Sequence, residues 1–227
     1  MRLADLTTIR LGGPASVHVV DTLAGVPEVL REHPDARVLA GGSNVVAADD
    51  GVAEPVLLMR ASGWQQHGDQ FIVSAGTVWD EFVAAMVAEG RRGIEALSGI
   101  PGSVGATPIQ NVGAYGQEVA GSIAGLRVLD RATGEITTWP APRAQFGYRD
   151  SMFKRHPADH VVLAVAFDLP VGPSAPIAYA ELARTLGVEV GASVPVAEVR
   201  AAVLDRRRGK GMVLAAQDPD TCSVGSF

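Results

Sequence analysis

Apolar positions along the chain fall into two periods, and the switches between them divide it into elements. In "TLAGVPEVLREHP" Leu23, Val26 and Leu30 recur at helical spacing and stop before Pro34, after which "ARVLAGG" predicts a short buried strand running into glycines. "EPVLLM" and "QFIVSAG" predict two more strands. "TVWDEFVAAMVAEG" sets Val78, Phe82, Ala85 and Met86 on one helical face, with Thr77 as the expected N-cap and Gly90 as the stop. "LRVLDRATGEITTW" alternates across a turn at Gly134, which predicts a hairpin, and "HVVLAVAFDL" supplies a neighbouring strand. The prolines and glycine of "LPVGPSAP" (Leu169 to Pro176) mark a boundary, and "YAELARTLG" and "VAEVRAAVLDRRR" beyond it are amphipathic helices. Helices and strands mix without a regular βαβ beat, so the expected class is α+β.

One stretch fits neither period. Ser98 to Gly116, "SGIPGSVGATPIQNVGAYG", holds Gly99, Gly102, Gly105, Gly113 and Gly116, and from Ala96 to Gln117 no side chain is charged. Glycine admits positive φ and close approach, and small neighbours leave N–H donors uncovered, which suits a cradle for phosphates or a flat, polar-edged ring. "AGGSNVV" (Ala40 to Val46) forms a second such loop, where N–H groups, Ser43 and Asn44 could hold a pyrophosphate. The bland alternative is a pair of tight connections, but ordinary connections run to about 4–6 residues. Neither GxGxxG nor GxxxxGK[ST] occurs, so the usual Rossmann and P-loop arrangements are unsupported.

Composition narrows the partners. The 227 residues are 47% hydrophobic, enough for a sizeable core, while the net charge of −6 provides no basic field to draw the chain onto nucleic acid or an anionic membrane. The longest apolar run, Val161 to Phe167, falls short of the ~18 residues of a membrane-spanning helix. A single cysteine, Cys222, and a start without an apolar leader region predict a cytoplasmic protein. His156 and His160 stand at i, i+4, but Pro157 and the adjoining strand argue against a metal pair, and no metal is expected.

Five motifs then carry a resemblance: "TTIRLGG" (Thr7 to Gly13), "AGGSNVV", "GIPGSVGATPIQNVGAYGQE", "FGYRDSMFK" (Phe146 to Lys154) and "SVGSF" (Ser223 to Phe227). In this order they resemble the UDP-N-acetylenolpyruvoylglucosamine reductases, flavoenzymes of peptidoglycan precursor synthesis. The resemblance implies a two-domain FAD-binding fold of the vanillyl-alcohol-oxidase type plus the start of a substrate-binding domain. The corresponding bounds are 1–62, 63–170 and 171–227. It places FAD against Gly41, Gly42, Ser43, Asn44 and Val45 at the pyrophosphate, and against Gly102, Ser103, Gly105, Ala106, Thr107, Ile109, Gln110 and Gly113 elsewhere.

The resemblance further implies that NADPH reduces FAD and that the enolpyruvyl group of a UDP-sugar receives the hydride. Negative charge then develops on the α-carbon and its carboxylate, which calls for a fixed cation and a proton donor. By motif position Arg149 and Ser226 take these catalytic roles, and Tyr148 and Lys210 contact substrate. Arginine suits the first because its planar fork stays charged. On residue type alone, Arg149 would be a surface ion pair with Asp150, Tyr148 a core tyrosine, Cys222 an inert thiol and "RRRGKG" (Arg206 to Gly211) a cationic helix end. Relatives continue beyond the serine motif and supply there a glutamate that assists protonation. A C-terminally incomplete chain is therefore expected, monomeric, with weakened FAD binding and little turnover.

Overall fold

The structure, a computed structural model, describes residues 1–215 and 217–222. Its first sheet is built from β1 (Val17–Val20), β2 (Arg37–Leu39) and β3 (Val56–Met59), all parallel, in the order β1-β3-β2. Helix α1 (Val26–Glu32) crosses between β1 and β2 and drops Val26 and Leu30 into the core. β3 lies between two neighbours, so all four of its side chains are buried. β2 pairs on one side only, leaving Arg37 and Val38 exposed and Leu39 buried. The strand in "ARVLAGG" is thus an open edge instead of the buried strand its apolar run predicts.

A larger sheet follows. β4 (Trp64–His67) and β5 (Gln70–Ser74) precede helix α2 (Trp79–Ala88), and β6 (Gly113–Ala114) and β7 (Gln117–Glu118) make a two-residue ladder of their own. β8 (Ile123–Asp130), β9 (Ile136–Pro140) and β10 (His160–Asp168) complete five antiparallel strands in the order β4-β5-β10-β8-β9. The unbroken apolar run of β10 has a physical cause: this central strand is covered on both faces. Val162, Val165 and Phe167 face the core under α2, while Val161 and Leu163 join Leu57 and Met59 of the first sheet.

Helix α2 buries Trp79, Phe82, Val83, Met86 and Val87, and its Phe82 ring packs 5.5 Å from Phe167 and 6.2 Å from Phe71. Each such side chain contributes roughly 1.5–3 kcal/mol by leaving water. The predicted cap is corrected here. Thr77 Oγ1 accepts from Gly63 N at 3.0 Å, and the residue at the cap position is Val78, exposed and without a side-chain bond. Thr77 is directed to the turn before β4 because that backbone donor passes close by. The orphan N–H groups of α2 meet negative charge in Asp80 and Glu81 of its first turn. Gly90, at φ +69, ends the helix as predicted.

Helix α3 (Met152–Arg155) is capped by Ser151. Past residue 171, α4 (Ala180–Leu186) and α5 (Val196–Arg208) enclose a small core of Ile177, Leu182, Val194, Val199 and Val203 that also takes in Ala96. Arg200 forks onto Asp80 at 2.6 and 2.9 Å, and Gly99 N donates to the same carboxylate at 2.6 Å. Burial pushes the Asp80 pKa up, but the Arg200 fork, the Gly99 N–H and the Arg207 charge together hold it below its ordinary value. No helix among the described residues is long and apolar enough to cross a membrane.

Candidate functional site

The two glycine loops, far apart in sequence, meet in space. Where β2 ends, the chain enters Gly41 and Gly42, the latter at φ +61; opposite stands Gly102 at φ +120. A methyl group on Gly41 would lie 2.7 Å from Gly102 Cα, and one on Gly102 would lie 2.7 Å from Ser43 Oγ. Only glycine allows this approach. Asn44 Nδ2 donates to Gln110 Oε1 at 3.3 Å, a second tie between the loops.

Backbone bonds fix the longer loop on its scaffold: Trp79 N donates to Gly102 O, Val104 N to Thr77 O and Gly105 N to Ala75 O. Gly105 lies so near Ala75 that a methyl there would come within 2.5 Å of the Ala75 Cβ, so this glycine serves packing on the sheet. Thr107 is buried with Oγ1 bonded to Val104 O, which directs its hydroxyl to the loop itself. Ala106, Ile109 and Gln110 are half-buried, and Val45 packs beside Leu39 and Leu58. Ser103 differs from Thr107. Its Oγ is buried and has no partner among the described residues, although buried hydroxyls are ordinarily hydrogen-bonded.

A cleft of about 330 Å³ beside Gly41 is lined by Asp5, Thr7, Thr8, Arg10 and Arg60 together with Leu214, Ala215, Thr221 and Cys222. Thr221 Oγ1 accepts from Ala215 N and donates to Asp218 O. Arg10 and Arg60 were not identified from sequence. Arg10 lies within "TTIRLGG", a motif that by itself singles out no residue, and Arg60 is a lone cation after an apolar strand with no local signal. Cys222, an inert thiol on residue type alone, lines the same cleft.

The second part of the site is the loop from Phe146 to Ser151. Arg149 adopts φ +53, is half-buried, and brings Nη1 to 3.1 Å from the position of a Gly113 methyl. Non-glycine residues held at positive φ cluster at functional sites. The surface pair with Asp150 suggested by residue type is absent from the ion pairs of the described residues: Asp150 binds Arg155. Tyr148 is 83% exposed and therefore no core tyrosine, and its ring centroid lies 5.7 Å from the Arg149 guanidinium carbon.

The basic cluster divides. Arg206 pairs with Glu181, Lys210 is exposed past the end of α5, and Arg207 lies buried beneath Gly99. Burial pushes the Arg207 pKa below its ordinary value, opposed by Tyr115 and Asp80. His156 lies 3.8 Å from Asp159 and His160 3.7 Å from Asp130, so the two histidines face separate carboxylates. Ser226 lies outside the described residues.

These features fit a flavin nucleotide. Two backbone loops that tolerate no Cβ, an unpartnered buried hydroxyl between them and arginines beside Gly41 and Gly113 provide N–H donors and positive charge for a diphosphate and a polar ring edge.

Comparison with known proteins agrees. The FAD binding domain family matches residues 15–139. The chain is 49% identical to UDP-N-acetylenolpyruvoylglucosamine reductase of Streptomyces avermitilis, over 99% of this chain and 64% of the relative. It is 53% identical to that of Salinispora arenicola, over 99% of this chain and 65% of the relative. The crystal structure of UDP-N-acetylenolpyruvylglucosamine reductase from Thermus caldophilus superposes with a TM-score of 0.69 at 28% identity, covering 92% of this chain and 68% of that one. The chain thus spans a little under two thirds of the length of these two curated relatives. With the family match covering more than half of its residues, the chain belongs to the FAD-binding domain family, and at near-50% identity along its whole length it is similar to the UDP-N-acetylenolpyruvoylglucosamine reductases.

Proposed function

We propose that this chain forms the flavin-binding part of an NADPH-dependent enzyme that reduces the enolpyruvyl group of UDP-N-acetylglucosamine enolpyruvate to give UDP-N-acetylmuramate. The observation that carries this reading is the meeting of the two glycine loops at Gly41 and Gly102, with a half-buried arginine at positive φ against Gly113 of the longer loop. Flavin, when bound, supplies the hydride. Gly41 to Val45 and Gly102 to Ser103 hold the cofactor through backbone N–H groups, and Ser103 Oγ gains there the partner it lacks.

Arg149 grips the substrate carboxylate, and its charge opposes the negative charge that grows on the α-carbon as the β-carbon is reduced. Ser226 returns the proton to the α-carbon, so that the double bond has gained one hydride and one proton. A hydroxyl is a weak acid at neutral pH, so the proton moves as the carbanion forms and not before. Tyr148, exposed beside Arg149, closes over the sugar nucleotide, and Lys210 supplies charge for its diphosphate. The site is cytoplasmic in this reading because the nucleotide substrate and NADPH are intracellular metabolites.

Anaerobic spectroscopy tests the proposal. At FAD concentrations that saturate its weakened binding, the chain should bleach near the flavin absorbance maximum on addition of NADPH and recolour, slowly and in a single turnover, on addition of the enolpyruvyl sugar nucleotide. Bleaching without recolouring would leave a flavoprotein of another activity, and failure to take up FAD at all would overturn the reading.

A further inference from the structure

One residue of the glycine-rich stretch is built unlike its neighbours. Asn111 is 1% exposed and takes φ +45, a conformation that asparagine tolerates better than most side chains. Its amide has every hydrogen engaged: Nδ2 donates to Glu118 Oε2 at 2.8 Å and to Gly147 O at 2.9 Å, while Oδ1 accepts from Ala120 N at 3.1 Å. The orientation is self-consistent, since the two acceptors face the NH2 group and the donor faces the oxygen. Gly147 lies two residues before Arg149 and forms a bridge with Asp150, so its carbonyl sits in the tight turn that sets the Arg149 backbone. A second tether, Ser151 Oγ to Ile109 O at 2.6 Å, fixes the other end of the same turn.

We infer that Asn111 is a positioning residue: by clamping Gly147 O to the β6–β7 ladder it holds the Arg149 turn over Gly113 and so sets where a substrate carboxylate can bind. This rests on the reading of Arg149 given above, but the clamp itself is a property of the fold and is tested separately. A left-handed arginine persists only where its surroundings hold it. Lys154 Nζ, donating to Arg149 O at 2.8 Å, is one restraint from within the same loop and helix, and the rest must come from outside the turn. Two hydrogen bonds from one buried amide supply that restraint, and neither Glu118 nor Gly147 can make it without a donor between them.

Two variants of the full chain, loaded with FAD, separate backbone from side chain. Asn111→Gly keeps the left-handed backbone and deletes the amide; Asn111→Asp keeps the shape but sets a carboxylate against Glu118 and the Gly147 carbonyl. Amide hydrogen exchange over residues 146–151 should quicken at least ten-fold in both, with β5 and β10 unchanged. Unchanged exchange in that turn would overturn the inference. If either variant fails to fold, Asn111→Asp/Glu118→Gln relieves the charge repulsion and restores the link at 118 but not the one at 147, and the same loss of protection in the turn is expected. Binding gives the second readout. Asn111→Asp should weaken the enolpyruvyl sugar nucleotide at least ten-fold and UDP-N-acetylglucosamine, which lacks the carboxylate, less than two-fold. Equal loss on both ligands assigns Asn111 a merely structural role and refutes the proposal. Should the unaltered protein fail to distinguish the two ligands, the reading of Arg149 is wrong, and the exchange result alone decides the clamp.

Discussion

Replacing Gly41 by alanine tests the meeting of the loops directly. The new methyl would stand 2.7 Å from Gly102 Cα, 3.0 Å from Gly102 C and 3.4 Å from Ser103 N, where ordinary contact begins at 3.4 Å. The loops must therefore separate by about 0.7 Å (3.4 less 2.7) at the tightest point. Neither side yields easily: Gly102 O is held by Trp79 N at 3.0 Å, and Gly42 O by Thr8 N at 3.1 Å. Inserting a methyl into such a contact costs roughly 1–3 kcal/mol. At about 2–4 °C per kcal/mol for a chain of this size, the midpoint of thermal unfolding should fall by roughly 2–12 °C. If cofactor binding must restore the close approach, the same strain weakens FAD by roughly 5- to 150-fold, at ~1.4 kcal/mol per decade. Fluorescence quenching of FAD titrated with apoprotein reads the affinity, and a thermal melt the stability. Gly121 is the control, because a methyl there meets nothing within 4 Å and its backbone is ordinary, so Gly121→Ala should match the unaltered chain. A Gly41→Ala protein with unchanged melting and FAD affinity within two-fold would show that the loops do not form the cradle.

Three further outcomes are expected. Ser103→Ala removes a buried hydroxyl that has no partner, so the apoprotein should melt no lower than the unaltered chain while FAD affinity falls about 2- to 12-fold, the equivalent of one hydrogen bond of ~0.5–1.5 kcal/mol; a loss of apoprotein stability instead would mean the hydroxyl is bonded within the chain. Asp80→Asn breaks the fork from Arg200, and since the pair is partly exposed the cost lies between the surface and buried limits, roughly 1–3 kcal/mol in urea unfolding at pH 7. Because the Asp80 carboxyl is held below its ordinary 3.8, that stability is fully present above 3.8 and is lost as pH falls through the lower folded value, so the gap between variant and parent should narrow only below pH 3.8; a gap that closes between pH 7 and 5 would point to a different group. Arg149→Lys keeps the charge but loses the planar fork, and reoxidation of reduced flavin by the enolpyruvyl substrate should slow at least ten-fold with bleaching by NADPH unaffected; equal slowing of both half-reactions would place Arg149 at the cofactor.

Hydrophobic spacing alone separates the regular segments of the chain from the irregular ones. Helical spacing in α2 and α5 and the apolar run of β10 each record that a face, or both faces, must leave water, and the glycine pattern with five ordered motifs was enough to mark the two loops and the turn at Arg149. What each surface meets is set by the packing of the sheets and helices. Strand β10 sits at the centre of its sheet with apolar side chains on both faces, yet periodicity does not name its neighbours. Thr77 serves Gly63 instead of capping α2, Asp150 takes Arg155 and leaves Arg149 to Gly113, Arg207 goes under Gly99, and Asn111 reaches Gly147 across 36 residues. Each of these is a choice among several partners of similar local chemistry, and the fold settles it by which donor and acceptor the packed sheets bring within about 3 Å. Burial leaves a periodic trace along a chain; pairing between distant polar groups leaves none.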